Sequence, residues 1–515
     1  MRKHLTIIFL LVWHFWSATA QEDFSSPLPI VIIETDRDPS TGLPMDIPDE
    51  PKVGGTMKII YVNDQQVNHY ADRDNPAHLN YNGRIGIELR GKTSQNSPKK
   101  PYGLTTLKAD DISNNNVALV GMPKENDWIL NPFFSDESYL RDALTYALGR
   151  RTGHYAPRTR YCELFLNGDY KGLYLLSEKI KIDKNRVDIT KMTTADTLMP
   201  NVTGGYLFKA DKPDANDSVA WSTPSIAGFP VTYIIQNPKV ADIKPQQTDY
   251  IISYFDDFQR AMDNGDNDSV TGYPSLIDVA SFVDYMLVAE LSSNPDSYQF
   301  STFFHKNRQG KLCAGPLWDF NIAFGNDWHD RSRYDVWQFC NEDNTGSPFW
   351  NQLFNDSIFH QKLVQRWSRL NRPGAALEYN TVMYLIDSLV NVVTPVVARD
   401  QERWGIEHEH DYYVMGLRQW LKSRYQWINT QLLGADFKKE YVLSPNPTTG
   451  AIHLEGDLVN AIPHITIYTL EGVRVIDQNF TLPGFSIDLS SLASGMYIAY
   501  IHHAKGIEVQ KIIKL

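Results

Sequence analysis

The sequence predicts an α+β chain in which a β-rich lobe is followed by a helix-rich lobe and then by a small β-sandwich. Three observations carry that prediction. In the first third, apolar residues fall in short runs divided by Gly, Pro and Asn turns. From about Asp249 they recur at helical spacing, and beyond Ser444 short alternating strands return. The chain has 515 residues, too many for one compact domain, and 42% of them are apolar, including 12 Trp, 27 Tyr and 23 Phe, which is ample for a core. Its formal charge of −12 excludes a general nucleic-acid binder. Three cysteines, Cys162, Cys313 and Cys340, exclude a disulfide-stapled scaffold and leave room for one bridge at most; none has the CxxC spacing of a structural zinc site.

Taken in order, residues 1–20 read as a signal peptide: a short basic start, an apolar run over 5–16, and Ala18-Thr19-Ala20 as a small-residue cleavage site. That run is shorter than the roughly 20 residues a membrane span requires. No later stretch is expected to reach such a length. Residues 21–80 read as a β-rich N-terminal segment with strands at 28–34 and 55–62 around a loop rich in Pro, Asp and Gly. Strands follow at 84–90 and 102–108, joined by a polar turn over 91–97. A helix is predicted over 135–151, with Asp136 near its cap and Leu140, Leu144, Ala147 and Leu148 on one face. Asn167-Gly168, flanked by apolar runs over 161–166 and 170–180, predicts a tight hairpin, because both turn residues tolerate positive φ. Helices then dominate, interrupted by a β excursion at 303–317. Leu385, Leu389, Trp420, Tyr425 and Ile428 keep helical spacing. A turn-forming linker, 444–450, precedes the short strands of the tail.

Two constellations bear on chemistry. Between residues 84 and 108 stand Arg84, Arg90, Lys92, Lys99, Lys100 and Lys108, opposed only by Glu88, in a chain that is otherwise acidic. A glycine turn among such cations suits phosphates; a solvated basic hairpin would look the same. In the helix-rich lobe, Asp296 and Asp319 stand at the two ends of the β excursion. A phosphotransferase needs one carboxylate to accept a hydroxyl proton and another to hold Mg2+, whereas two turn-capping aspartates are the plain alternative. Ser301 lies five residues beyond Asp296, the spacing at which protein kinases carry a metal-binding Asn. Weaker candidates fall away. The acidic run 263–268 has its glycine misplaced for a calcium loop, 407–411 lacks HExxH spacing, and no GxSxG motif occurs.

The ordered set Arg90-Gly91-Lys92-Thr93-Ser94, Pro98-Lys99-Lys100-Pro101-Tyr102, Asp127-Trp128, Tyr139-Leu140-Arg141-Asp142, Leu166-Asn167-Gly168-Asp169-Tyr170, Glu178, Arg186-Val187, Asn294 with Asp296, and Trp318-Asp319-Phe320 resembles the CotH kinase family. These are atypical protein kinases named for a spore-coat protein. The resemblance implies a two-lobed kinase-like domain over 81–435, ATP and Mg2+ as cofactors, and phosphoryl transfer to Ser or Thr of a partner protein. It further implies a phosphate-covering turn of Arg90, Gly91, Lys92 and Ser94, Lys100 on the phosphates, Glu178 near the nucleotide, Asp296 as the catalytic aspartate, and Asp319 with Ser301 at the metal. Asn321 stands where the family carries a second Asp. That departure, with Ser301 in place of Asn, is what a non-catalytic or weakly active surface adhesion or structural protein on the same fold would also show. In the tail, Pro445-Asn446-Pro447-Thr448-Thr449-Gly450, Leu470-Glu471-Gly472 and Gly495-Met496-Tyr497 resemble the C-terminal sorting domain of type IX secretion in Bacteroidetes. Over 441–515 it implies engagement of that machinery and a secreted or outer-surface destination through the periplasm, with no membrane segment left after signal cleavage.

Overall fold

The computed structural model describes residues 21–133, 135–213, 220–224, 230–344, 346–406, 409–433, 441–456, 464–470, 473–479, 486–503 and 506–515. The signal peptide expected at 1–20 lies outside them. The chain forms two compact units that divide between Arg424 and Tyr425.

Seven strands of the first unit close into a barrel: β1 (Ile30–Thr35), β2 (Val53–Ile60), β3 (Leu79–Leu89), β4 (Tyr102–Leu107), β5 (Asp127–Asn131), β6 (Thr159–Leu166) and β7 (Asp169–Glu178). Their order is β1-β2-β3-β4-β5-β7-β6. Neighbours run antiparallel except β1 and β6, which pair in parallel, Ile30 opposite Glu163, and close the ring. Alternate residues point inward, so Val31, Ile33, Met57, Ile85, Ile87, Trp128, Leu164 and Leu176 fill the interior. Strands β1 and β2 are thus part of the barrel itself and do not form a separate N-terminal unit ending at residue 80. The β6–β7 turn is the tight one its sequence predicts, with Asn167 and Gly168 at φ 50° and 74°.

Between β5 and β6 lies α1 (Arg141–Thr152), which starts six residues later than the apolar pattern predicts. The cause is local. Asp136 accepts the N–H groups of Ser138 and Arg141 at 3.1 and 2.8 Å, and Tyr139 sits at φ 61°, so the chain makes a turn before it can coil.

The helical part is built on a second sheet, of β8 (Tyr206–Ala210), β9 (Ala220–Thr223), β10 (Val231–Asn237), β11 (Thr302–Lys306) and β12 (Leu312–Ala314), ordered β9-β10-β8-β11-β12. Phe208, Tyr233 and Phe304 from this sheet meet Phe255 of α2 (Pro245–Asp263), and Phe304 also meets Phe282 of α3 (Val279–Ser292). Phe349 and Trp350 of α4 (Phe349–Asn355) complete an aromatic core. Helices α5 (Ser357–Leu370), α6 (Tyr379–Trp404) and α7 (His410–Leu433) follow. Contrary to the expectation of no further stretch of that kind, α6 is long and apolar enough, by length and composition, to cross a membrane. Its last turns are nevertheless fastened to the barrel by charge: Arg399 to Glu163 at 2.6 Å, Asp400 to Lys99 at 2.6 Å, and Arg403 to Asp169 at 2.9 Å.

In the second unit, two small antiparallel sheets share one apolar core. One is β13 (Tyr441–Ser444), β14 (Ala451–Gly456) and β17 (Ser486–Asp488); the other is β15 (His464–Thr469), β16 (Arg474–Asn479), β18 (Gly495–His503) and β19 (Gly506–Lys514). Leu443, Ile452, Ile465, Ile487, Ala499 and Ile512 lie at its centre. All three cysteines are free thiols.

Candidate functional site

The loop 294–301 leaves α3 and leads into β11, and it is held from below by buried groups. Tyr298 is fully buried at φ 76°; its hydroxyl donates to Glu290 Oε1 at 2.9 Å, and Glu290 is paired with the fully buried Arg424 at 3.0 Å. This fixes the backbone on either side of Asp296, whose carboxyl is half-buried. Burial first, and then the charge of Asp319, push the Asp296 pKa up to about 7, against the pull of Arg331 and Lys212.

Asp319 sits at φ 64°, on the turn that follows β12. Its carbonyl accepts from Asn294 Nδ2 at 3.1 Å, and Asn294 Oδ1 accepts the Asp296 N–H at 3.3 Å, so one amide side chain joins the two aspartate loops. The Ser301 hydroxyl donates to Asp319 Oδ2 at 3.4 Å. Burial and the nearby Asp211 raise the Asp319 pKa, while Arg90, Ser301 and Lys209 lower it. The structure therefore gathers Asp296, Ser301 and Asp319 in the helical part with Arg90 from the end of β3. The Arg90 guanidinium lies 5.2 Å over the Trp318 ring, which in turn stacks on Tyr146 at 5.8 Å and 13°.

The turn 91–97 is closed on itself. Gly91 has φ 80°, and a Cβ there would meet Ser94 Oγ at 2.1 Å, so the turn accepts only glycine at this position. Lys92 reaches across to the backbone carbonyl of Lys212, beyond β8. Two expected residues are engaged elsewhere. The Lys100 ammonium donates to the Gln95 carbonyl of its own turn at 2.7 Å, and Glu178 is wholly buried, receiving the Arg158 N–H at 2.9 Å and its guanidinium at 3.0 Å. Asn321 gives its amide to the Ser135 hydroxyl.

Beside Glu178 stands a cation that motif reading passed over. Burial draws the Lys179 pKa down to about 8; Asp127 opposes this, while Lys52, Arg90 and Lys239 add to the depression. Lys179 is the first residue past β7 and is half-buried, whereas Glu178, the last residue of the strand, is wholly buried. Ile180, Val187, Leu207 and Phe303 form a buried apolar cluster against which Trp318 packs. A cavity of about 260 Å³ shares Val187 and Tyr155 with that cluster and reaches residues 315–317.

Among the described residues, no three His, Cys, Asp or Glu side chains converge as a protein-only metal cage. One carboxylate with a hydroxyl beside it suits Mg2+, which takes few protein ligands and completes its octahedron with phosphate and water oxygens. Asp319 and Ser301 have that composition.

Residues 87–428 match the family described as CotH kinase protein, and residues 443–515 match the secretion system C-terminal sorting domain. The first match covers well over half of the chain, which belongs to the CotH kinase family. No curated protein matches it. Kinase family membership implies use of ATP. The sorting domain implies interaction with the type IX secretion machinery and a secreted or cell-surface location.

Proposed function

We propose that the chain is an exported protein kinase of the CotH type, with a two-lobed kinase-like body, which transfers the γ-phosphoryl group of ATP to a Ser or Thr hydroxyl of a partner protein. The observation that carries this reading is the meeting of Asp296, Asp319 and Arg90, which come from three separate stretches of chain, in one electrostatic cluster. The acceptor oxygen attacks the γ-phosphorus, the bond to the β–γ bridging oxygen breaks, ADP leaves, and Asp296 takes the hydroxyl proton. Asp319 and Ser301 would hold Mg2+, whose chemistry is to neutralise charge on the phosphate oxygens. Arg90 and Lys179 act on the phosphates from the barrel side, in place of Lys100, and the turn Gly91-Lys92-Thr93-Ser94 covers them. The base of the nucleotide lies against Trp318, Val187 and Phe303.

A non-catalytic surface protein on the same fold is the second reading, favoured by the engagement of Asn321 with Ser135. Calorimetry of the mature chain with ATP separates the two. The kinase reading expects binding that requires Mg2+ and is lost in Asp319→Ala. Absence of any binding favours the second.

A further inference from the structure

Backbone segment 319–323 is held along one face of α1. The Tyr146 hydroxyl oxygen accepts the Asp319 N–H at 3.1 Å, Asp142 Oδ1 accepts the Phe320 N–H at 2.8 Å, and Arg141 Nε donates to the Ala323 carbonyl at 3.0 Å. Asp142 and Tyr146 are one helical turn apart, so both face the same backbone. The second oxygen of Asp142 is taken by Asn131 Nδ2 at 2.9 Å, at the end of β5. Both side chains are almost wholly buried, at 3% and 1% exposure. A carboxylate so placed is costly unless it is hydrogen-bonded, and here each of its oxygens meets a donor. The turn it grips is itself unfavourable, because Asp319 holds a left-handed conformation without being glycine.

We propose that Asp142 and Tyr146 are positioning residues that clamp the Asp319 turn, so that its carboxylate stays beside Ser301 and opposite Arg90, and that they thereby set the affinity of this site for a divalent cation. The inference rests on the reading of Asp319 as the metal-holding residue. Asp142 acts through the backbone, because neither of its oxygens is free to coordinate.

The test uses the mature chain with a non-hydrolysable ATP analogue and Mn2+, following the free Mn2+ signal by electron paramagnetic resonance. Asp319→Ala should abolish Mn2+ retention; if it does not, the kinase reading of the site fails, whatever α1 does. With that control in place, Tyr146→Phe keeps the ring on Trp318 and removes the hydroxyl, which accepts the Asp319 N–H and also hydrogen-bonds to Asp142 within the same clamp. It should weaken Mn2+ binding about tenfold, as loss of an outer-sphere partner does. Asp142→Ala should weaken it at least as much, and Asp142→Asn, which still offers an oxygen to the Phe320 N–H but turns an amide NH2 toward Asn131 Nδ2, should recover only part of the affinity. Wild-type affinity in Tyr146→Phe, or in a folded Asp142→Ala, overturns the proposal. Should Asp142→Ala fail to fold, Tyr146→Phe decides alone.

Discussion

Asp296 illustrates how environment sets the strength of an acid. An exposed aspartate is fully ionised at neutral pH, but burial and the Asp319 charge raise this one to about 7. Below that value the carboxyl keeps its proton and cannot accept another; above it the carboxylate is free to serve as the base proposed above. The kcat/KM for phosphoryl transfer should therefore rise about tenfold per pH unit below 7 and level off above it. A flat profile from pH 5 to 8 contradicts the assignment. Lys179 and Lys100 offer a second comparison. Lys179→Ala should weaken ATP binding by roughly tenfold or more, the loss expected for one charge-assisted contact, while Lys100→Ala, which breaks only a bond within the turn, should leave it unchanged by calorimetry. The two candidate aspartates stand out in the sequence because their spacing and neighbours form ordered motifs. Lys179 does not, because it belongs to none of those motifs and only the fold brings it into the field of Arg90 and Asp127.

At the scale of elements, the last turns of α6 act as a strap on the barrel. Asp400 accepts from Lys99 Nζ at 2.6 Å, from the Leu173 N–H at 2.7 Å and from the Tyr139 hydroxyl at 3.1 Å, all buried. Removing Asp400 leaves a buried ammonium without its counter-charge, with only the Leu173 carbonyl at 2.7 Å to accept from it, which costs about 3–5 kcal/mol. Asp400→Ala should show that loss in denaturant unfolding. Lys99→Met combined with Asp400→Leu should recover only part of it, because the desolvation cost goes with the charges but the Leu173 N–H and the Tyr139 hydroxyl still lose their acceptor. The β6–β7 hairpin could be read from Asn167-Gly168 because its turn chemistry is local. Barrel closure could not, because the β1–β6 pair joins residues more than 130 positions apart and no nearby pattern announces it. Strands β8, β9 and β10 went unread for a similar reason: they are short, and their partners lie partly across the long excursion to β11.

For the whole molecule, the two family matches divide the work. The first 424 residues hold the barrel, most of the helical part and the candidate site, and the tail unit carries the export address. Deleting residues 443–515 should leave the protein in the periplasm of a host with a type IX system, by fractionation and immunoblot. Appearance of the truncated chain outside the cell would contradict that division. The acidic total said little about function; its basic exception contains Arg90, while Lys179, proposed above to act on the phosphates, lies outside it. The central claim is that Asp296 and Asp319 form one phosphotransfer centre. Incubating the mature chain with γ-labelled ATP, Mg2+ and the envelope proteins of its own host tests it most directly. The expected result is label on Ser or Thr that falls on the order of a hundredfold or more in Asp296→Ala and Asp319→Ala. Equal labelling by wild type and both variants, or none by any, would contradict it.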